Sequence, residues 1–269
     1  SEFEAAAKKL SGGGQYGYVV SSNETGDNPV SSLFSYAFSN GVSFVDDDGN
    51  VVFDQKDNKA ALAETLAFIA RMSKFSPSGT NFGWGEIINS FASGKVAMAD
   101  YIGSRLYAVT AQNNPQLAEV TKPMLQPYGK AAANRLSAEG FMVFQGSKNK
   151  DVAKQIITYL REGQRYFDYL WSIPLHVLPT TKEDFLGGYR KNEFVQKHQD
   201  IVKVIDTAWD QARNPVYDLH GKKPVWQRAK IYTSTVYNKM LASVVQGGTD
   251  PAAAIDQAAK AARSLVKNA

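Results

Sequence analysis

The run Trp84-Gly85-Glu86-Ile87-Ile88-Asn89-Ser90-Phe91-Ala92-Ser93-Gly94-Lys95-Val96-Ala97-Met98-Ala99-Asp100-Tyr101-Ile102-Gly103-Ser104-Arg105 holds a helix, a strand and a loop in succession. Ile87, Ile88 and Phe91 recur at helical spacing, and Gly94 stands where a left-handed residue ends a helix without a Cβ clash. Val96 and Met98 then alternate with Lys95 and Ala97, the two-residue period of a strand with one buried face. Asp100 to Gly103 breaks that period, so the strand opens into a loop carrying Tyr101, Gly103, Ser104 and Arg105. Ligands in open α/β domains sit beyond the carboxyl ends of the strands, which makes this loop the first candidate site. Such loops also do no more than cover the end of a sheet, and pattern alone does not separate the two roles.

The segment Phe91 to Met98 resembles the F-x-x-G-K-x-A-M signature of extracellular solute-binding proteins of the maltose-binding type, which serve ABC importers. Further matches follow in family order. Ser1 to Leu10 is similar to the family's mid-sequence helix, Glu139 to Phe144 to its return strand, and Gln145 to Lys154 to the next turn and helix. Leu175 to Pro179 resembles the G-x-L-P turn, and Asp250 to Lys267 the closing helix. The resemblance implies an α/β, periplasmic-binding-protein-like fold of two lobes joined by a hinge. Family members carry a long stretch before the counterpart of Phe3 that forms most of the first lobe. Residues 1–137 and 183–269 are therefore expected to be the second, C-terminal lobe, and 138–182 a strand-helix piece of the first. The function implied is binding of a sugar or oligosaccharide between the lobes, hinge closure, and delivery to an ABC transporter permease. A monomer is expected in the periplasm or outside the cell, with a lipid anchor on the missing N-terminal region among the options. Its partners are then the sugar, the permease subunits and the missing first-lobe residues.

Composition bounds the alternatives. With 43% hydrophobic residues in 269 the chain can bury a core, and Lys+Arg 30 against Asp+Glu 26 leaves only +4. The basic residues are dispersed, so no nucleic-acid footprint is expected. With Cys 0 there is no disulfide, thiolate catalyst or Cys-ligated metal, which suits an oxidising compartment without proving one. No apolar run approaches the roughly 18 residues that span a bilayer, and no signal peptide opens the chain. Glu4-Ala5-Ala6-Ala7-Lys8 has the make-up of a rigid linker, but Phe3 and Leu10 on one helix face favour a native helix.

Taken in order, the chain predicts a helix to Leu10, a turn at Gly12-Gly13-Gly14, and a buried strand over Tyr16 to Val20. The polar run Ser21 to Asn28 follows that strand, and Pro29 opens a helix with Leu33, Phe34, Ala37 and Phe38 on its apolar face. Asp46-Asp47-Asp48-Gly49-Asn50 turns a hairpin between Val42–Val45 and Val51–Phe53; the acidic cluster invites calcium but lacks the full calcium-loop pattern. Leu62, Leu66, Ile69 and Met72 form a helical stripe, Leu106 to Ala111 a helix, and Val120 to Leu125 a strand. Pro127 to Asn134 marks the approach to an interlobe crossing, before a strand over Glu139 to Phe144 and a helix burying Val152, Ile156, Tyr159 and Leu160. Tyr166 to Trp171 predicts another helix, ended by Pro174 and Pro179, with a crossing back near Lys182 to Leu186. Helical faces follow at Ile201, Val204, Ile205, Ala208 and Trp209, then at Tyr232, Val236, Met240 and Val244. Asp250-Pro251 caps the last helix.

Catalytic signatures are missing. His176, His198 and His220 are isolated, with no H-x-x-x-H pair, and His176 between Leu175 and Val177 suits packing. There is no nucleophile elbow, phosphate loop or dinucleotide fingerprint, and nothing faces two carboxylates across a cleft. No enzyme, cofactor or metal site is expected. What recurs is rings beside polar loops: Trp84 after Asn81, Tyr101 with Arg105, and Trp226 with Tyr232. A sugar offers apolar C–H faces and a rim of hydroxyls, so its site wants flat rings and hydrogen-bonding groups, although the same rings also serve ordinary cores. By the resemblance, ligand contacts fall on the loop with Asn23, Glu24, Asp27 and Asn28, on Tyr101, Gly103, Ser104 and Arg105, and on Trp226 to Tyr232, and the ring pattern adds Trp84. Glu139 departs from the family's Gly-Gly at the crossing and either points a carboxylate at the ligand or closes the backbone approach. Two alternatives stay open: a charged ligand such as a glycerol phosphate or acidic sugar paired with Arg105, and a sensor or scaffold module without transport.

Overall fold

The structure is a computed structural model that describes residues 1–77, 82–101, 103–216 and 225–267. Asn81, Ile102 and His220, singled out above, lie outside the described residues. Helix α1 (Glu2–Lys9) starts where the Ser1 hydroxyl accepts from the Glu4 amide at 3.2 Å. After a glycine turn the chain runs extended beside residues 96–99. Parallel bridges join Tyr16 to Val96 and Val19 to Ala99. Helix α2 (Asn28–Ser39) has Pro29 in its first turn, and the predicted hairpin beyond it is reduced to one antiparallel bridge, Val45 to Val51. Its turn is closed by the Asp46 carboxylate, which accepts from the amides of Asp48 at 3.0 Å and Asn50 at 2.8 Å. That carboxylate is thereby engaged as a turn residue.

Helix α3 (Lys56–Met72) buries Leu62, Leu66, Ile69 and Met72 as its stripe predicts. Helix α4 (Trp84–Ala92) begins with Glu86 reaching back to the Gly83 amide at 2.9 Å and ends at Gly94, whose φ is +74°. Helices α5 (Arg105–Asn113) and α6 (Pro115–Val120) follow. The strand expected over Val120 to Leu125 does not form. Asn114 caps α6 by accepting from the Leu117 amide at 3.1 Å with Pro115 in the first turn, so this start signal claims Val120 for a helix. The ladder lies further on, where β1 (Asn134–Arg135) pairs in parallel with β2 (Ala212–Arg213).

The strand expected over Glu139 to Phe144 is also absent. Phe141, Met142 and Phe144 stand 51–73% exposed, and extended backbone without a neighbouring edge has nothing to complete its hydrogen bonds. Helix α7 (Lys150–Arg161) forms, but its apolar stripe is not buried. Val152, Ile156 and Tyr159 are 54–58% exposed, and Tyr159 carries only the Arg165 guanidinium of the following helix over its ring, at 4.1 Å. Helices α8 (Gly163–Leu170), α9 (Lys182–Leu186), α10 (Glu193–Lys197) and α11 (Gln199–Asp210) share a core of Tyr166, Leu170, Leu175, Phe185, Tyr189 and Val195. The face predicted from Tyr232 to Val244 is broken into α12 (Trp226–Tyr232) and α13 (Val236–Val245), where Thr233 and Ser234 turn their hydroxyls back onto carbonyls. Helix α14 (Pro251–Lys267) packs on α3 and α13, and Arg263 clasps Asp54 through two bonds of 2.7 Å. The main core gathers α2, α3, α13 and α14, and a smaller one holds Val19, Ile87, Ile88, Phe91 and Val96 beneath the Tyr101 loop.

Candidate functional site

Two groups of side chains lie past the carboxyl ends of the extended segments 16–19 and 96–99. The first is polar. The Tyr232 hydroxyl donates to Asp27 at 2.6 Å, and Arg135 Nη2 donates to the same oxygen at 2.8 Å and also meets the Tyr232 hydroxyl. Arg135 further donates from Nη1 to Ser31 at 3.2 Å and from its amide to Ser35 at 3.1 Å. The Arg135 side chain is 3% exposed while that of Asp27 is 44% exposed, so a buried cation holds a carboxylate that still reaches solvent. Arg135 Nε is buried without a partner. Burial, above all, pushes the Tyr232 phenol well above its ordinary range, which keeps it a neutral hydroxyl.

The second group is aromatic. Trp84 and Tyr101 meet edge-on with centroids 5.1 Å apart, and Tyr101 stacks over His176 at 6.3 Å and 21°. Gly103 makes the approach possible. Its φ is +74°, and a Cβ there would stand 2.9 Å from the His176 Cα and 3.1 Å from the Leu175 carbonyl. Leu175 itself is left-handed at φ +62°, a conformation costing about 1–3 kcal/mol. It is held by its amide on the Tyr189 hydroxyl at 2.7 Å and its carbonyl on the Ser104 amide at 3.2 Å. The Ser104 hydroxyl is bonded to the Pro174 carbonyl, so Ser104 positions the loop from a buried place. Arg105 is exposed at the start of α5. Burial raises the Tyr101 phenol and the Arg105 charge opposes that rise.

The loop from Ser21 to Asn28 joins the two groups. Its first hydroxyl bonds the carbonyl of Phe82, two residues from Trp84, and its far end is Asp27. Gln246 fixes it by donating to the Ser22 carbonyl at 2.6 Å, and Asn238 by donating to the Gly26 carbonyl at 2.9 Å. Within it, the Asn23 side-chain Oδ1 accepts from the Thr25 amide at 3.3 Å, Glu24 is exposed, and Asn28 is buried with Nδ2 unpartnered. Asp27 and Tyr232 thus come together, as do Trp84, Tyr101, Gly103 and Ser104, with Arg105 beside them. Asn23, Glu24 and Asn28 stay on the joining loop, and two further residues named from the sequence lie in neither group nor on that loop. Trp226, 50% exposed, starts α12 six residues from Tyr232, where its neighbours Gln227 and Arg228 turn toward the Asp46–Asn50 turn. Glu139 is exposed in the irregular segment after β1. Arg135 and His176 enter instead. A lone arginine in a stretch of small residues carried no signal, and His176 gained its role from a turn that brings it under a loop seventy residues earlier.

A family model described as bacterial extracellular solute-binding protein matches residues 1–162. No curated protein matches the chain. Among solved structures, an ABC transporter solute-binding protein of Thermotoga lettingae TMO, bound with alpha-D-tagatose, is 21% identical with a TM-score of 0.77, over 98% of this chain and 63% of that one. Maltose-bound MalE3 of T. maritima is 18% identical with a TM-score of 0.75, over 98% and 64%. The GacH receptor of Streptomyces glaucescens is 20% identical with a TM-score of 0.73, over 99% and 63%. The chain is similar to them in fold and spans under two thirds of their length.

Proposed function

The chain belongs to the bacterial extracellular solute-binding proteins, and from that premise we propose that it contributes one wall of a site for a neutral sugar or oligosaccharide. The observation that carries this reading is the ring pair Trp84 and Tyr101 set next to a loop that ends in the Asp27–Tyr232–Arg135 group. A pyranose face stacks on the rings, and a half-exposed carboxylate balanced by a buried guanidinium accepts from sugar hydroxyls without imposing a net charge. The proteins like it in fold support the choice of ligand, since their ligands include tagatose, maltose and acarbose.

In this reading residues 1–137 and 183–269 form the second lobe and 138–182 belongs to the first, tied to it through the apolar surface of 141–159. Helix α8, inside that span, shares its core with α9 to α11, so the tie does not run along its whole length. A closed, liganded form is then handed to an ABC permease outside the cytoplasm, and no chemical step is required.

Thermal unfolding of the chain with maltose or tagatose tests the proposal. Ligand at about 100 times Kd raises stability by about 2.7 kcal/mol, so a clear upward shift in melting temperature is expected. Trp84→Ala and Tyr101→Ala should each remove it, and Arg105→Ala should leave it in place. One observation favours a second reading. Arg105 is exposed with no carboxylate partner among the described residues, which suits a glycerol phosphate or an acidic sugar. If glycerol phosphate alone shifts the melt, and Arg105→Ala abolishes that shift, the neutral-sugar reading fails. Indifference to every ligand of a protein that holds both walls would favour the scaffold reading.

A further inference from the structure

A cavity of about 280 Å³ opens beside the polar group and is lined by none of its three residues. Its floor is aromatic. Phe34 meets Phe44 at 4.3 Å, Tyr237 at 5.1 Å and Phe38 at 5.4 Å, and Phe44 meets Tyr237 at 5.1 Å. Two guanidinium groups stand at its rim. Arg228 is held rigidly, donating from Nε to the Val45 carbonyl at 3.1 Å and from Nη2 to Asp47 at 3.0 Å, and its charge is balanced by that carboxylate. Arg213, exposed on β2, has no carboxylate partner among the described residues. The cavity therefore joins a floor of ring edges and faces to one uncompensated positive charge.

We propose that this cavity is a second ligand site, separate from the sugar wall, and that it takes a carboxylate carried on a single ring. The volume lies just below the range of about 300 Å³ upward that drug-sized ligands occupy, which suits one ring with a short substituent. A ring entering against the part-exposed Phe38, with Phe34 and Tyr237 buried beneath it, finds an edge-to-face partner, and its carboxylate meets the Arg213 fork in the planar geometry that guanidinium groups favour.

The experiment titrates benzoate and its neutral isostere benzamide into the whole chain by calorimetry, with saturation-transfer NMR to detect weak binding. Benzoate is expected to bind at least about tenfold more tightly than benzamide, about 1.4 kcal/mol. Arg213→Gln should bring the two affinities together. Ser43 lines the cavity from an exposed position, so Ser43→Trp fills the space without touching the core and should abolish binding of both compounds. The proposal is overturned if benzoate does not bind, if benzamide binds equally well, or if the benzoate preference survives Arg213→Gln. It is also overturned if Ser43→Trp, melting like the parent chain, still binds, or if maltose displaces benzoate.

Discussion

Arg135 concentrates more of the site than any other residue: one buried guanidinium orders Asp27, Tyr232 and Ser31 at once. Arg135→Gln should cost about 2–3 kcal/mol, the range for losing hydrogen bonds to a charged group, read as a lowered urea midpoint at unchanged slope. An unchanged midpoint would show the group to be held by other contacts. Acid should act elsewhere, at Asp54. Hydrogen bonds from Arg263 hold its carboxyl below the usual range in a place where the side chain is 17% exposed. Because the folded value is the lower one, the stabilisation is complete above the unfolded value of about 3.9 and drains away as pH falls through the folded value. Asp54→Asn should flatten the acid limb of a stability curve measured from about pH 6 to pH 2, and parallel curves for the two proteins would refute the assignment. Asp27 and Tyr101 were legible as residues in loops after strands, and Tyr232 as a ring beside Trp226, but Arg135 was not. Its meaning comes from pairing with β2 far along the chain, which no local pattern encodes.

Elements were legible to the extent that they carry their own periodicity. Helices α3, α4 and α14 follow their apolar stripes because a helix closes its hydrogen bonds within itself. Strands borrow a neighbour, so the alternation around Val96 yields only bridges, and the apolar run 141–144 yields no strand. One contact decides whether the first extended segment can lie where it does. A Cβ on Gly17 would stand 1.8 Å from the Ala7 carbonyl oxygen, so α1 and this segment touch through bare backbone. Gly17→Ala should destabilise by about 3 kcal/mol, the upper range for overpacking, and lower the melting temperature well beyond that of Gly85→Ala, where a Cβ meets open space. Equal melts for the two would mean that α1 moves freely away.

At the scale of the molecule, the main imbalance is the apolar surface of Phe141, Met142, Phe144, Val152, Ile156 and Tyr159, all more than half exposed. Exposed large apolar side chains in such number favour association. Sedimentation velocity should therefore reveal concentration-dependent self-association, relieved when Val152, Ile156 and Tyr159 are all replaced by serine. The same variant should stay within about 0.5 kcal/mol of the parent per substitution, as surface changes do; a large loss of stability would mean that the stripe already packs on something.

The parallel bridge from Tyr16 to Val96 spans eighty residues, and the clasp from Asp54 to Arg263 spans more than two hundred. On the ribosome, the early segment must wait unpaired while everything between is translated, and α3 waits longer still for α14 to cover it. Contacts so distant in sequence make folding slow, and they leave the nascent chain greasy and open for seconds. Such a chain stays open until α14 has emerged, a delay written into its topology.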